Sequence, residues 1–134
     1  MNLLTLDGVH THIGAYHILH GVDLVVPVGQ VTMLLGRNGA GKTTTLRTIM
    51  GLWAASKGSV RFDGRPIGGP EGQSQTPDIV QLGIAYVPEN MGIFSDLTVK
   101  ENLLLAALSA RHEQMLDGQR IGDRGRRLGV FIGI

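Results

Sequence analysis

Glycines at 36 and 41, separated by four residues and followed at once by Lys42 and Thr43, give the run Gly36-Arg37-Asn38-Gly39-Ala40-Gly41-Lys42-Thr43-Thr44 the types and spacing of a phosphate-binding loop. Each position has a chemical reason. Gly36, Gly39 and Gly41 lack the Cβ that disfavours positive φ, so the backbone is free to curl and aim successive N–H groups at anionic oxygens. A helix opening near Gly41 would turn its positive end toward the same oxygens. Lys42 adds a full charge suited to β and γ phosphates, Thr43 offers a hydroxyl to magnesium, and Thr44 offers a further hydrogen bond. The bland alternative is a glycine turn with an incidental lysine. Four fixed positions match by chance in a chain of this size with a probability on the order of one per cent. The required strand before and helix after lower that figure, so residues 36–44 are expected to bind phosphate.

The elements that must hold such a loop are legible on both sides of it. Val31 to Leu35 is a short continuous apolar run, the pattern of a strand buried on both faces. After the loop, Leu46, Ile49 and Met50 are spaced for one face of a helix, and Gly51 is placed to end it. Upstream, Leu3, Leu4, Leu6 and Val9 mark an opening strand and Gly21 to Val26 a second, with antiparallel pairing between them. Downstream, Ser59 to Phe62 runs into Asp63-Gly64, a hairpin turn leading to Arg65 to Ile67. A polar loop over 68–76 precedes Thr76-Pro77, which reads as the cap and first residue of a short helix through Gln81. Ile84 to Val87 is another buried strand. Thr98-Val99-Lys100-Glu101 is a capping box opening a helix from Val99 to about Arg111. Beyond His112, glycines interrupt every helical period, and residues 113–134 read as an irregular tail.

Composition sets outer bounds. At 134 residues the chain suits one modest domain or part of one. A formal net charge of +1 gives no electrostatic footprint for nucleic acid. Arg120, Arg124, Arg126 and Arg127 are interspersed with Asp117 and Asp123 and lack an aromatic platform, so they read as a solvated end. The absence of cysteine excludes disulfides, thiol catalysis and cysteine-bound zinc. No apolar stretch approaches the roughly 20 residues of a membrane span. His10, His12, His17 and His20 gather near the N-terminus, but their spacing fits no helix-borne ligand pair, and they read as surface residues. Met50, Trp53 and Met91 read as packing residues.

The segments HILHGVDLVVPVGQVTMLLGRNGAGKTTTLRTIMGL, KGSVRFDG and GIAYVPENMGIFSDLTVKENLLLAA together resemble the ATP-binding-cassette family, and look most like ATPases of branched-chain amino acid importers. The likeness runs from about Leu3 to about Ala110. It implies an α/β phosphate-loop NTPase core with an N-terminal antiparallel β-ribbon, incomplete at its C-terminal side, with residues 1–112 as the first part of an ATP-binding domain. It implies MgATP on Gly36 to Thr44. It also implies transmembrane permease subunits and a second ATP-binding subunit as partners, and a peripheral place on the cytoplasmic side of the cell membrane. In that family the loop after Ile84 to Val87 carries a glutamine that reaches magnesium and the attacking water. The place is held here by Glu89, within a Tyr-Val-Pro-Glu run that importers of this type share, and a carboxylate there is expected to ligate the metal. Without the resemblance, Glu89 reads as a solvated loop acid. The family also stacks adenine on an aromatic just before the first hairpin glycine. Relative to Gly14 that slot holds His12 and Ile13; Tyr16 nearby is either a substitute or a cross-strand packing residue.

Hydrolysis in the family needs a serine-glycine-glycine signature, an apolar strand ending in aspartate and glutamate, and a later histidine, and the sequence carries none of these. No catalytic carboxylate is assigned. The tail from about Ser109 is expected to be a truncation or frameshift product. The resemblance further implies that strands flanking Val31 to Leu35 lie in the later half of the domain, leaving an unpaired edge prone to aggregation. A non-hydrolysing nucleotide-binding module and a GTPase or small-molecule kinase of the same superfold are the rival readings.

Overall fold

The opening residues alternate large apolar and polar side chains, and two glycine-bearing turns fold them back on themselves. The computed structural model describes residues 1–37, 39–87, 95–104 and 130–133. Strand β1 (Asn2–Ile13) and strand β2 (Tyr16–Pro27) form a long antiparallel hairpin around Gly14-Ala15. Gly14 supplies a positive φ of 60° at the turn. The second strand therefore begins five residues before the Gly21 that the pattern suggested. Gly21 (φ 86°) sits instead at an irregularity inside it, where His10 pairs with His20 and Val9 with Val22.

Strand β3 (Ala55–Phe62) lies against the other edge of β1, and β4 (Arg65–Gly68) pairs with β3, giving the order β2-β1-β3-β4. Asp63 and Gly64 both take positive φ, 49° and 77°, as the expected two-residue turn requires. Leu4, Leu6, Val9, Val60, Phe62 and Ile67 put the sheet's apolar face into one core. Leu46, Ile49 and Met50 of helix α1 (Lys42–Ile49 with its cap) join that core, as do Ile79 of helix α2 (Thr76–Gln81) and Ile84 of β5 (Ile84–Val87). For α2 the N-cap is Gln75, so Thr76 and Pro77 are its first two helical residues and the helix starts one residue earlier than the capping pattern indicates.

Two readings are corrected. Val31 to Leu35 forms no strand: Val31, Met33 and Leu35 are 93%, 73% and 79% exposed. A strand buried on both faces needs hydrogen-bonded neighbours, and among the described residues none pairs with this run. Residues 32–34 instead border an apolar cavity of about 250 Å³, with Leu4, Leu24 and Val26 of the hairpin and Leu46 and Ile49 of α1. The tail, read as wholly irregular, contains strand β6 (Val130–Gly133), which pairs with β5 in a separate two-stranded sheet. Its apolar, β-favouring run meets a strand edge that lacks another partner among the described residues.

Residues 87–127 form a second unit. Within it, residues 99–104 are helical. The capping box is made reciprocally, the Thr98 amide donating to Glu101 Oε2 at 3.1 Å and the Glu101 amide to Thr98 Oγ1 at 3.2 Å. The expected continuation to Arg111 lies outside the described residues, as do Met91 and the arginines of the tail.

One glycine fixes how closely β3 approaches β1. Gly58 has φ 80°, and a Cβ there would meet the carbonyl oxygens of Gly8 and Asp7 at 2.3 and 2.4 Å. Gly58→Ala should therefore lower stability by at least the roughly 1–3 kcal/mol of left-handed backbone strain, read as a drop in denaturant midpoint. Leu6→Ala should cost about 2–5 kcal/mol through the cavity it leaves, whereas Val31→Lys should stay within about 0.5 kcal/mol and raise solubility. Comparable losses for Leu6→Ala and Val31→Lys would show that the 31–35 run is packed after all.

Candidate functional site

Helix α1 is only eight residues long, so its position depends on what it packs against. Its N-cap is Gly41 in the left-handed conformation (φ 93°), and no side chain caps it. The first turn carries no acidic residue. Uncapped amides, the positive helix end, Lys42 and Arg37 thus share one end of the element. Gly39 is also left-handed, with φ 82°.

Gly36 is not among the positive-φ residues, which corrects the expectation for it. The space around it is narrow: a Cβ there would lie 3.3 Å from Ala40 Cβ and 3.7 Å from Lys42 Cδ. The Lys42 ammonium donates to the Gly36 carbonyl across this gap. The loop's first carbonyl and its lysine are therefore brought together, and Ala40 N–H closes the interior on Arg37 O at 3.1 Å.

The threonine run separates into two functions. Thr45 Oγ1 donates back to Gly41 O and Thr48 Oγ1 to Thr44 O, both at 2.8 Å. The Thr43 and Thr44 hydroxyls make no hydrogen bond among the described residues, and both side chains are partly exposed at the loop end of the helix. Thr43 is therefore free to ligate a cation and Thr44 to meet an anion, which is what the magnesium and phosphate assignments require of them. Asn38 and Glu89 lie outside the described residues.

The seat of this site was not legible in the sequence. Thr11, fully buried in the middle of β1, lies 3.1 Å from Thr48 Oγ1. Because the Thr48 proton is already given to Thr44 O, Thr11 is the donor. Leu19 of β2 packs under the N-cap, 3.0 Å from where a Cβ on Gly41 would stand. Strand alternation alone could not have pointed to them, because extra residues interrupt it in both strands. The register that pairs Thr11 with Leu19 and, past the extra residue Ile18, Ile13 with Tyr16 puts Ile13 and Tyr16 on that side, at the hairpin tip. Tyr16 faces Ile13 across the strands, as a cross-strand packing residue would, and is 74% exposed.

The histidines also come together in a way their spacing did not suggest. His10, His12, His17 and His20 stack along the opposite face of the hairpin. Among the described residues no three histidine, cysteine or acidic side chains are arranged to hold a metal ion. No described helix is long and apolar enough to cross a membrane.

Comparison with known proteins gives this arrangement its context. The family model described as "ABC transporter" matches residues 19–130. The high-affinity branched-chain amino acid transport ATP-binding protein BraG of Pseudomonas aeruginosa is 40% identical over 103 residues, which is 77% of this chain and 42% of BraG. The ribose import ATP-binding protein RbsA 2 of Rhizobium etli is 34% identical over 120 residues, 89% of this chain and 23% of that protein. Among solved structures, an ATP binding subunit of an ABC transporter superposes with a TM-score of 0.64 at 32% identity, covering 96% of this chain and 54% of that one. The chain thus spans less than half the length of these two curated relatives. With a family match across most of its length, and a fold shared with ATP-binding subunits, this chain belongs to the ABC transporter family.

Proposed function

We propose that the chain is the first part of an ATP-binding subunit of an importer and that residues 36–44 take MgATP. The observation that carries this is the Gly36–Gly41 loop delivering Lys42 and two free threonine hydroxyls to the uncapped positive end of α1. Backbone N–H groups and Lys42 hold the phosphates, Thr43 ligates magnesium with Glu89 as its second protein ligand, and Tyr16 offers a face to the base. Phosphoryl transfer in such a site depends on positioning and charge stabilisation. Its signature segment and second acidic motif would come from outside these 134 residues, so this chain alone binds nucleotide without turning it over.

In the assembled transporter two such subunits pair beneath transmembrane permease subunits on the cytoplasmic side. The relation to BraG, whose name states branched-chain amino acid transport, favours hydrophobic amino acids as cargo over the ribose named for RbsA 2, which is less similar. Residues 1–112 form the first part of the ATP-binding domain.

Calorimetric titration tests the site. Lys42→Ala should weaken MgATP binding at least tenfold, matching the roughly 1.5–3 kcal/mol of a charged hydrogen bond. Thr43→Ala should lose only the part of the affinity that disappears when magnesium is chelated, and Tyr16→Ala should weaken ATP and adenosine binding together. Equal MgATP affinity in the wild type and Lys42→Ala would reject the phosphate loop as the site. Lys42-dependent hydrolysis by the isolated chain would reject the binding-only reading.

A further inference from the structure

The outer face of the β1–β2 hairpin carries a ladder of four imidazoles that the nucleotide site does not use. His10 pairs with His20 and His12 with His17 directly across the strands. His17 is the hub, its ring centroid 5.1 Å from that of His10, 4.1 Å from His12 and 3.9 Å from His20. His10 Nδ1 and His17 Nε2 are 3.0 Å apart, a hydrogen bond in which one nitrogen carries a proton and the other a lone pair. His12 Nδ1 is 2.9 Å from Ser56 Oγ, whose own proton goes to His10 O at 3.2 Å. Ser56 is therefore the acceptor, and His12 keeps its proton on Nδ1.

This face tolerates charge poorly. A first proton can be held in the His10–His17 bond, because an imidazolium still donates to a neutral partner. Protonating both partners removes the lone pair and puts like charges in contact. Among the described residues no carboxylate pairs directly with these imidazoles, and Lys57 of β3, which pairs with His10, adds a cation. The nearest carboxylates in the sheet, Asp7 of β1 and Asp23 of β2, lie farther along it, and Asp23 Oδ1 is taken by the Gly8 amide at 2.7 Å. No described carboxylate forms an ion pair with any of the four. Partial withdrawal from water, then the imidazoles of His20, His12 and His10, hold His17 below the ordinary histidine value of 6.5, with a backbone hydrogen bond at Leu19 acting the other way.

The residues that seat the phosphate loop alternate with these imidazoles on the same two strands. Thr11, between His10 and His12, reaches Thr48; Leu19, beside His20, packs under Gly41. We propose that the imidazole ladder is a proton-operated latch on the seat of α1: a single proton is accommodated, and further protonation parts the hairpin tip and loosens the Gly41 end of the helix. The latch stands on the hairpin geometry, while its consequence for nucleotide affinity rests on the phosphate-loop reading. For a base held below its ordinary value, the unfolded or opened form binds more protons. Stability is then complete above pH 6.5 and is lost as the pH falls from there through the folded-state value.

Amide hydrogen exchange on the 134-residue chain without nucleotide, at fixed ionic strength from pH 7.5 to 5.5 and corrected for intrinsic rates, reads the latch directly. Protection of the Thr45 amide, which closes the first turn on Gly41 O, should fall below pH 6.5 by about tenfold per pH unit for each net proton taken up on opening. His17→Asn should flatten that dependence, and His20→Asn, at an exposed position, should halve it on a logarithmic scale. Protection independent of pH in the wild type, or an unchanged slope in both variants, overturns the latch. So do four imidazoles that titrate independently near 6.5 by NMR. MgATP titrations at the two pH extremes separate the two ideas: no binding at either pH removes the phosphate-loop reading and leaves the exchange result to decide the latch.

Discussion

Everything at the candidate site depends on how a two-turn helix is seated against a hairpin. A helix as short as α1 has no stability of its own in water, because the cost of nucleating it is not recovered over so few hydrogen bonds. It is fixed at three levels. Leu19 packs beneath Gly41 at the N-terminal end, Thr11 gives its proton to Thr48 in the middle, and Ile49 and Met50 enter the core. At the C-terminal end Gly51, with φ 74°, lets its own amide reach Thr48 O and the Leu52 amide reach Arg47 O at 2.9 Å, closing the last carbonyls. The direction of the helix, and with it the point in space at which its free amides converge, follows from these contacts.

The hairpin does two unlike things because its strands are irregular. In a regular strand His17 and Leu19, two residues apart, would share a face. The register steps from Thr11–Leu19 to His12–His17, so Ile18 is the extra residue and the two side chains point to opposite faces. A second extra residue at Gly21 and a shift near Gly8 repeat the effect. The result is an inner face of apolar residues and one threonine, and an outer face of imidazoles. The shift at Gly8 also brings β3 so close that only glycine fits at 58, and Gly69 in turn approaches the Gly58 carbonyl. Bulges and glycines thus form one seam across the sheet.

Much of this was written in the local sequence. The phosphate-loop spacing, the apolar face of α1 and its glycine stop, the Asp63-Gly64 turn, β5 and the capping box at Thr98 all depend on residues within a few positions of one another. Their backbone geometry is set by sterics and short-range hydrogen bonds, and the structure has α1 with its glycine stop, the Asp63-Gly64 turn, β5 and the capping box where the pattern put them. The family resemblance was legible for the same reason, since it rests on contiguous motifs.

What failed was whatever depends on a neighbour distant in the chain. The apolar run 31–35 has the composition of a buried strand, yet strand identity is a property of pairing, and no described strand pairs with it. The left-handed conformation expected at Gly36 is absent; what sets this position apart is the nearness of Ala40 and Lys42, which come from the far side of the loop. The histidine ladder and the Thr11–Thr48 bond span separations that only the register of two strands and the packing of a helix could decide. The sequence by itself determined which residues are candidates to meet phosphate and magnesium, because that chemistry is carried by residue type and short spacing. The tertiary structure alone decided which face of the hairpin seats them, because a single inserted residue in a strand reverses the side to which every later side chain points.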